Sequence, residues 1–556
     1  MNDDKTVSDI ATELLTTGDI SFFFEHKYYI FYFENAKIQK IFVLLQTQIQ
    51  KNNSFMKKEE LKLNPNRLVR FLEKPMAEFT KADILKVIEE FEIEMIKFRY
   101  MANDGRLKTL NFVINSLEHA NEILTSGERV DGSSLFPFLE AGSSDLYVIP
   151  RFRTAFLDPF AEIPTLDFLC NFYTKDGEPF DMAPEYTLAK AGKAFREATG
   201  GMEFEVMGEL EYYVIAPKEE SYLTEDQRGY HASTPFCKFE NYRVEAMKLI
   251  AECGGLIKYG HSEVGNFCVE ETMYEQNEIE FLPTTLEDAA DQLVIAKWIM
   301  RTLGYQYGIT VTFAPKITVG KAGSGMHIHT RITKDGKNMY VGENGLTDTA
   351  HKAIAGILSL AGSLTAFGDT NPTSYFRLVP HQEAPTNICW GDRNRSAMVR
   401  VPLGWTKGSG NMMAHCNPLE KNEEVDFSHK QTIELRTPDG SANVYLLLAG
   451  MTVAARHGFE MDDPIQYAKD RYVSVNIFEH EDVLNRLDVL PDSCAASADL
   501  LERDRAIYEE KGIFAPALID GILQQLRSYD DRHLRAEIGT NPHKILELVE
   551  SFIHCG

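Results

Sequence analysis

The chain has 556 residues, of which 44% are hydrophobic and 25% charged, and its formal net charge is -26 at pH 7. These values indicate a globular protein of about two to four domains. The negative charge argues against a general nucleic-acid or membrane-surface binder, and no uncharged apolar run approaches the roughly 20 residues of a spanning helix. The eight scattered cysteines form no CxxC pair, which is typical of reduced thiols. We therefore expect a cytoplasmic protein.

The first 55 residues differ from the rest in composition. They are rich in aromatic side chains, as in Phe22–Phe24 and Tyr28–Phe33, and show no clear period of 2 or 3.6 residues. One interpretation is that residues 1–55 are upstream sequence and that the working protein starts at Met56. The other is a genuine aromatic-rich extension that packs on the body or on a partner.

After a lead-in segment over residues 56–79, the pattern becomes that of a folded domain. Thr80 is the N-cap of a predicted helix. Met95–Met101 and Leu107–Val113 alternate as strands around a turn at Asn103–Gly105, which predicts a hairpin. A small α+β module over residues 80–180 follows from these elements.

The larger region, residues 181–556, begins with a predicted helix near Pro184 and ends mostly in helices after Ala495. Between them lie four short strands that carry polar side chains at positions i and i+2. The pairs are Glu209 and Glu211, Glu278 and Glu280, His327 and His329, and Glu434 and Arg436.

Residues at i and i+2 of a strand share one face, so each pair projects to one side of a sheet. A single pair also fits the solvated face of an antiparallel sheet. Four pairs, together with an arginine-rich stretch from Arg377 to Arg400, favour a sheet curled around a cavity. Carboxylates, imidazoles and guanidinium groups in one cavity predict a site for divalent metal and an anionic substrate.

The segments closely resemble the glutamine synthetase family over nearly all of Thr80 to Gly556. The motifs that carry the resemblance are Asp131–Ser134 with Ser144–Asp145, Gly323–His329, Asn371–Pro385, Trp390–Ser396 and Pro438–Asn443. The resemblance implies an α+β fold with an N-terminal β-grasp domain over 80–180. A catalytic domain over 181–556, with a curved antiparallel sheet flanked by helices, would follow it.

The resemblance also implies a reaction. ATP would phosphorylate the γ-carboxylate of glutamate, and ammonia would displace phosphate from γ-glutamyl phosphate to give glutamine, ADP and phosphate. A sister enzyme that joins glutamate to a polyamine or another amine is an alternative, and so is a catalytically inactive structural relative. The presence of Asp131, Ser134 and Glu383 favours ammonia.

Two Mg²⁺ or Mn²⁺ ions per active site are implied, because hard cations suit carboxylate oxygens and clustered phosphate charge. By resemblance, Glu211, Glu263 and Glu278 hold one ion, and Glu209, His327 and Glu434 hold the other. One ligand is open: spacing within the family favours Glu271, whereas the local His-x-Glu motif favours Glu263.

The remaining assignments also follow from the resemblance. Arg377 and Gly323 would bind glutamate, His329, Arg395 and Arg400 would bind ATP, and Arg436 would contact glutamate and the transferring phosphoryl group.

Glu383 would close the site and help to deprotonate ammonium. Asp131 would do so from a neighbouring subunit of a homo-oligomer, expected to be two stacked hexamers. An apparent insertion, Gly404–Glu424, contains three glycines and predicts a surface loop.

Overall fold

The computed structural model describes residues 60–139, 144–343, 345–380, 384–402 and 409–556. The two interpretations of residues 1–55 therefore lie outside the described residues. The described residues divide into two units, of which the first contains residues 60–78 and the second begins at residue 79. In the first unit, helix α1 (Arg67–Leu72) begins at Asn66, whose side chain accepts hydrogen bonds from two backbone N–H groups of the first turn.

The second unit begins with a mixed sheet and two helices, α2 (Lys81–Glu90) and α3 (Leu117–Ser126). Its strands are β1 (Met95–Met101), β2 (Leu107–Val113), β3 (Glu128–Asp131), β4 (Asp145–Pro150), β5 (Phe156–Leu157) and β6 (Thr165–Thr174). They lie in the order β2-β1-β6-β4-β3, with β5 on β6, and β1 and β6 run parallel.

The first elements predicted for this module are confirmed. Thr80 and Asp83 form a capping box at α2, and β1 and β2 pair as the expected antiparallel hairpin. Gly105 has a φ of 75° in the connecting turn, a backbone conformation that glycine adopts at little cost.

A larger sheet follows, in the order β16-β17-β18-β12-β7-β9-β8, curled around one face. Its strands are β7 (Glu203–Pro217), β8 (Ile257–Val269), β9 (Thr272–Phe281), β10 (Thr284–Thr285), β11 (Thr310–Thr312), β12 (Met326–Lys334), β13 (Lys337–Asn338), β16 (Trp390–Asp392), β17 (Val399–Val401) and β18 (Ile433–Leu435). A separate short hairpin joins β14 (Val341–Gly342) and β15 (Gly345–Leu346). Apart from the β16–β17 pair, the pairings of the larger sheet are antiparallel.

Fourteen further helices lie in the described part of the second unit, and those at residues 184–199, 240–252 and 286–306 contact this sheet. They are α4 (Pro184–Thr199), α5 (Glu240–Glu252), α6 (Leu286–Gln306), α7 (Asp348–Ser359), α8 (Ala361–Gly368), α9 (Ser374–Arg377), α10 (Ser409–Cys416), α11 (Val444–Glu460), α12 (Pro464–Asp470), α13 (Glu481–Leu484), α14 (Cys494–Glu509), α15 (Pro516–Ser528), α16 (Leu534–Ile538) and α17 (Pro542–Glu550).

Among the described helices, none alone has the length and apolarity to cross a membrane, although α7 and α8 meet those criteria jointly across a 75° bend. All eight cysteines are unpaired, as expected. The insertion needs a correction, because Ser409–Cys416 is helical and not loop. The run of Met412, Met413 and Ala414, which are good helix formers, explains the difference.

Alternation along the strands sets the two faces of the larger sheet. In β7, Leu210 and Tyr212 are fully buried in the main core, whereas Glu209 and Glu211 point to the opposite side. Gly208 lets helix α6 approach, since a Cβ at this position would lie 2.8 Å from a methyl group of Leu293. The apolar set therefore fixes the register, and the polar set is left facing one space.

Candidate active site

The polar face of the larger sheet encloses a cavity of about 1650 Å³. The predicted site residues that line it are Glu209, Glu211, Glu263, Glu278, His327, His329, Arg395, Arg400, Glu434 and Arg436. They come from β18, β12, β7, β9 and β8, which are neighbours in that order, and from the segment around β17. The four polar pairs therefore face one cavity, and the solvated-face interpretation is wrong for these strands.

Glu209, His327 and Glu434 form a central triad at the middle of the sheet. Each offers a ligand atom within 4.8 Å of the others. The Nδ1 of His327 lies 3.0 Å from one oxygen of Glu209 and 3.7 Å from Glu434. The Nε2 of His329 lies 2.7 Å from the second oxygen of Glu209.

The carboxylates of the central triad are held ionised by their neighbours. Burial raises the pKa of Glu209, but attraction to His329 and hydrogen bonds from His327 and His329 outweigh burial and place that pKa well below its ordinary value. Burial and repulsion from Glu209 likewise raise the pKa of Glu434. Attraction to His329, Arg436 and His327 outweighs both effects and leaves that pKa below its ordinary value. The protein itself neutralises this part of the cavity.

His261, Glu263 and Glu278 form a second group, the hairpin triad, at the base of the β8–β9 hairpin. The Cα atoms of His261 and Glu278 are direct cross-strand partners. The Nε2 of His261 lies 3.8 Å from Glu278, and its Nδ1 lies 3.8 Å from Glu263. Burial, with repulsion from Glu209 and Glu211 and further carboxylates, raises the pKa of Glu278 well above its ordinary value.

A register shift between Ser262 and Asn266 interrupts the pairing of β8 with β9. A bulge of this kind re-aims side chains next to a site, and this one contains Glu263. Gln276 supports it, because its Oε1 accepts a backbone N–H of the bulge at 3.0 Å. Glu271 is exposed at the hairpin tip, away from the cavity lining. The structure therefore brings Glu263, and not Glu271, to the other predicted ligands.

Two of the predicted arginines are anchored to the central triad. Arg400 donates to one oxygen of Glu434 at 2.9 Å, and Arg436 donates to the other at 3.1 Å. Arg436 also donates to the backbone carbonyl of Arg395, whose own side chain is exposed. The three guanidinium groups form one wall of the cavity, and such groups bind phosphate and carboxylate oxygens well.

Arg377 is buried and does not line the cavity. Its side chain is 3% exposed and donates to the carbonyl oxygens of Thr437 and Arg436 at 2.6 and 3.1 Å. Its Nη2 lies 3.5 Å from the Nε2 of His327. The predicted contact of Arg377 with glutamate stays a prediction.

The side chain of Gln276 contacts three parts of the site, namely the bulge of β8, Glu211 and the loop that contains Gly323. Its Nε2 donates to the carbonyl oxygen of Gly323 at 2.9 Å and to Glu211 at 3.3 Å. Glu211 also accepts the backbone N–H of Gly325 at 2.6 Å. Gly323 itself does not line the cavity, so the predicted glutamate-binding loop meets the metal-ligand candidates through Gln276.

Asp131 does not line the cavity of its own chain. It is exposed at the end of β3, where its side chain accepts from the backbone N–H of Ser133 at 3.0 Å and from the hydroxyls of Ser133 and Ser134 at 2.7 and 2.8 Å. These hydrogen bonds hold its pKa below the ordinary value. Glu383 lies outside the described residues.

Several cavity residues were missed from the sequence. His261 stands two positions before Glu263, so the same i, i+2 rule could have found it. Glu280 was identified in a polar pair but given no role, and it accepts a hydrogen bond from Lys258 at 2.6 Å. Tyr230 lies in a loop without periodicity, and no sequence signal pointed to it.

Comparison with known proteins agrees with this architecture. A family model of the glutamine synthetase catalytic domain matches residues 181–540, and one of the glutamine synthetase beta-grasp domain matches residues 92–175. The chain belongs to the glutamine synthetase family. The expected fold is thereby confirmed, with a β-grasp domain before a catalytic domain built on a curled sheet.

Relatives with different activities match this chain to a similar extent. Glutamine synthetase of Frankia alni is 31% identical over 490 residues, covering 81% of this chain and 95% of the relative. That of Mycolicibacterium smegmatis is 32% identical over 485 residues, covering 80% and 94%. A 3-hydroxylaminophenol mutase of Cupriavidus pinatubonensis is 28% identical over 479 residues, covering 80% and 94%. Membership of the family alone therefore does not identify the reaction of this chain.

Solved structures of the family share the fold. Apo GmaS without ligand superposes with a TM-score of 0.65 at 19% identity, covering 82% of this chain and 96% of that chain. Glutamine synthetase of Plasmodium falciparum superposes with a TM-score of 0.67 at 18% identity, covering 82% and 97%.

Members of the family typically use ATP and divalent metals, and the side chains of this chain fit such ions. Each triad offers oxygen and nitrogen donors within 4.8 Å, a spacing that one coordination sphere requires. Glu278 is 5% exposed and, among the described residues, receives no hydrogen bond. A buried carboxylate in that state is suited to a cation.

Proposed function

We propose that this chain is a glutamate–ammonia ligase, which forms glutamine from glutamate and ammonia with ATP. One observation carries the proposal: two groups of metal-ligating side chains and three arginines face a single cavity in a member of the glutamine synthetase family. Phosphoryl transfer needs such a concentration of fixed positive charge and positioned donors around clustered phosphates.

In the first step, the γ-carboxylate of glutamate attacks the γ-phosphorus of ATP, and ADP leaves. Arg400 and Arg436 are prepared for this step, since Glu434 holds both guanidinium groups in place. Two divalent cations, Mg²⁺ or Mn²⁺, would neutralise phosphate charge when bound, one held by the central triad and one by the carboxylates of Glu211, Glu263 and Glu278. Arg395 and His329 would contact ATP.

In the second step, the nitrogen of ammonia attacks the acyl carbon of γ-glutamyl phosphate, and phosphate leaves. Ammonium must first lose a proton, and Asp131 of a neighbouring subunit and Glu383 are assigned to accept it. The serine hydrogen bonds that keep Asp131 ionised support this role. Closure by Glu383 would protect the acyl phosphate from water.

This assignment requires a ring in which each site is shared. A heterologous contact closed by rotation gives such a ring, and we propose two stacked hexamers. The exposed position of Asp131, remote from the cavity lining of its own chain, supports a shared site.

A product assay tests the proposal. The enzyme, glutamate, ATP and Mg²⁺ are incubated with ammonium or with a set of primary amines, and γ-glutamyl products are measured. Formation of glutamine with ammonium is the expected result, and Glu479→Gln serves as a control, because Glu479 lines the cavity outside both triads. Products with amines alone would favour the γ-glutamyl-amine ligase, and no ATP-dependent product would favour the inactive relative.

A further inference from the structure

His261 is a cavity residue to which the proposed reaction assigns no role. It lies on β8 directly opposite Glu278, between the carboxylates of Glu263 and Glu278. Three rings lie close to it, with the centroid of His231 at 4.3 Å, that of Tyr230 at 5.5 Å and that of Tyr259 at 5.8 Å. The imidazole is therefore held in one orientation at the base of the hairpin.

The hydrogen bond of the ring determines which nitrogen faces the cavity with a lone pair. The Nδ1 lies 3.1 Å from the carbonyl oxygen of Ser262, and since a carbonyl oxygen only accepts, Nδ1 carries the hydrogen. Nε2 then presents a lone pair to the Oε1 of Glu278, 3.8 Å away. Two electron-pair donors at this distance need an electropositive species between them.

Glu278 supplies a second, independent observation. It is 5% exposed, lines the cavity and, in the part of the chain that the structure describes, receives no hydrogen bond. Donor atoms bound at about 2.1 Å to one cation stand about 3 to 4.2 Å apart. The separation of 3.8 Å between the Nε2 of His261 and the Oε1 of Glu278 falls in that range.

We propose that His261 is a direct ligand of the cation at the hairpin triad, so that this site has mixed nitrogen and oxygen donors. The inference extends the proposed function, which assigned only carboxylates here. An imidazole ligand favours Mn²⁺ and later transition metals over Mg²⁺, which prefers oxygen and retains water. Both cation positions of the cavity then contain one histidine.

The test measures metal binding directly. Mn²⁺ and Mg²⁺ are titrated separately into metal-free wild type and His261→Gln, which keeps the side-chain length and a carbonyl oxygen. We expect the Kd of one of two Mn²⁺ ions to rise at least tenfold, and the Kd for Mg²⁺ to change less than threefold. His429→Gln is the matched control, because exposed His429 lines the same cavity and its Nδ1 contacts the carbonyl of Asp426.

Electron spin echo spectroscopy of bound Mn²⁺ then identifies the nitrogen. In His327→Gln, the hairpin triad retains His261, so ¹⁴N modulation is expected to persist; in the double variant with His261→Gln it is expected to fall. His329 is present in every variant and adds a constant contribution. The His327→Gln measurement leaves His261 itself unchanged. His261→Asp provides a second variant at this position, with an oxygen ligand in place of the nitrogen.

Unchanged Mn²⁺ affinity in folded His261→Gln, or equal ¹⁴N modulation per bound ion in His327→Gln and in the double variant, overturns the proposal. An unchanged Mn²⁺ affinity with a raised KM for ammonium would assign the ring to ammonium instead. The metal titrations and the spectroscopy do not depend on turnover. Nitrogen ligation without glutamine synthesis would refute only the proposed function, and synthesis without ligation would refute only this inference.

Discussion

The central triad and the hairpin triad lie on neighbouring strands of one sheet face, but they are in opposite electrostatic states. His329, His327 and Arg436 compensate the carboxylates of the first. In the second, Glu278 meets mainly other carboxylates and its pKa rises. Substitution of a compensated carboxylate leaves cations behind, whereas substitution of an uncompensated one relieves repulsion. Equal losses of activity should therefore come with opposite changes in stability.

The largest effect is expected for Glu434→Gln. Turnover should fall on the order of 10³-fold, because several kcal/mol of charge stabilisation are lost. The metal-free protein should lose roughly 3–5 kcal/mol of unfolding free energy, since Arg436 stays buried without its anionic partner. Chemical denaturation at pH 7 measures the loss, and wild-type stability in folded Glu434→Gln would contradict a compensated triad.

Glu278→Gln should also abolish most turnover, by about 10² or more, but the metal-free variant should be more stable than wild type at pH 8. A carboxyl whose pKa is raised on folding contributes stability below its unfolded pKa of about 4 and loses it as pH rises. The stability difference should therefore vanish near pH 4.

Thermal unfolding with chelator across pH 4 to 8 checks this sign. A variant less stable than wild type at pH 8 would show that Glu278 is compensated after all. A comparison of Glu434→Gln with Glu278→Gln therefore distinguishes the effect of losing a metal ligand from the effect of losing a negative charge.

Asp131→Asn tests a carboxylate that lies outside the cavity lining and belongs to neither triad. Activity should fall about 10²-fold through loss of a proton acceptor, with two Mn²⁺ ions still bound as in wild type. Asp176→Asn, in an exposed turn, is the control.

Mixed assemblies sharpen this test. Asp131→Asn subunits and Glu434→Gln subunits should recover part of the activity when co-assembled, because some sites combine an intact Asp131 with an intact triad. Verified mixed rings without recovery would place the whole site within one chain.

The smallest effect is expected for Gln276→Glu, which retains the acceptor to the bulge but loses the donors to Glu211 and Gly323. The KM for glutamate should rise roughly tenfold, since a hydrogen bond to a charged group contributes about 1.5 kcal/mol, with a smaller change in kcat. Gln276→Leu should add a loss of Mn²⁺ affinity. An equal fall in kcat with unchanged KM would count against a positioning role.

The sequence predicted the fold and the cavity face well, because period-2 alternation and capping are local signals. Thr80, the β1–β2 hairpin and the four polar strands were identified from neighbours in sequence. Glu263 and Glu271 could not be separated from spacing, since a bulge changes which residues face the cavity without any local mark. His261 could have been found from its i, i+2 relation to Glu263, whereas the contacts of Gln276 lie across strand pairs and the lining position of Tyr230 depends on a loop.

The bulge of β8 also divides the β8–β9 hairpin into a base that lines the cavity and a tip that does not. Glu263 and Glu278 are fixed at the base of the hairpin, whereas Glu270 and Glu271 form a tip that lies outside the cavity lining. Residues added at that tip extend the hairpin outward and leave the base in register. We expect that an epitope or fluorophore inserted between Glu270 and Glu271 would label the protein close to the hairpin triad without changing the register at its base.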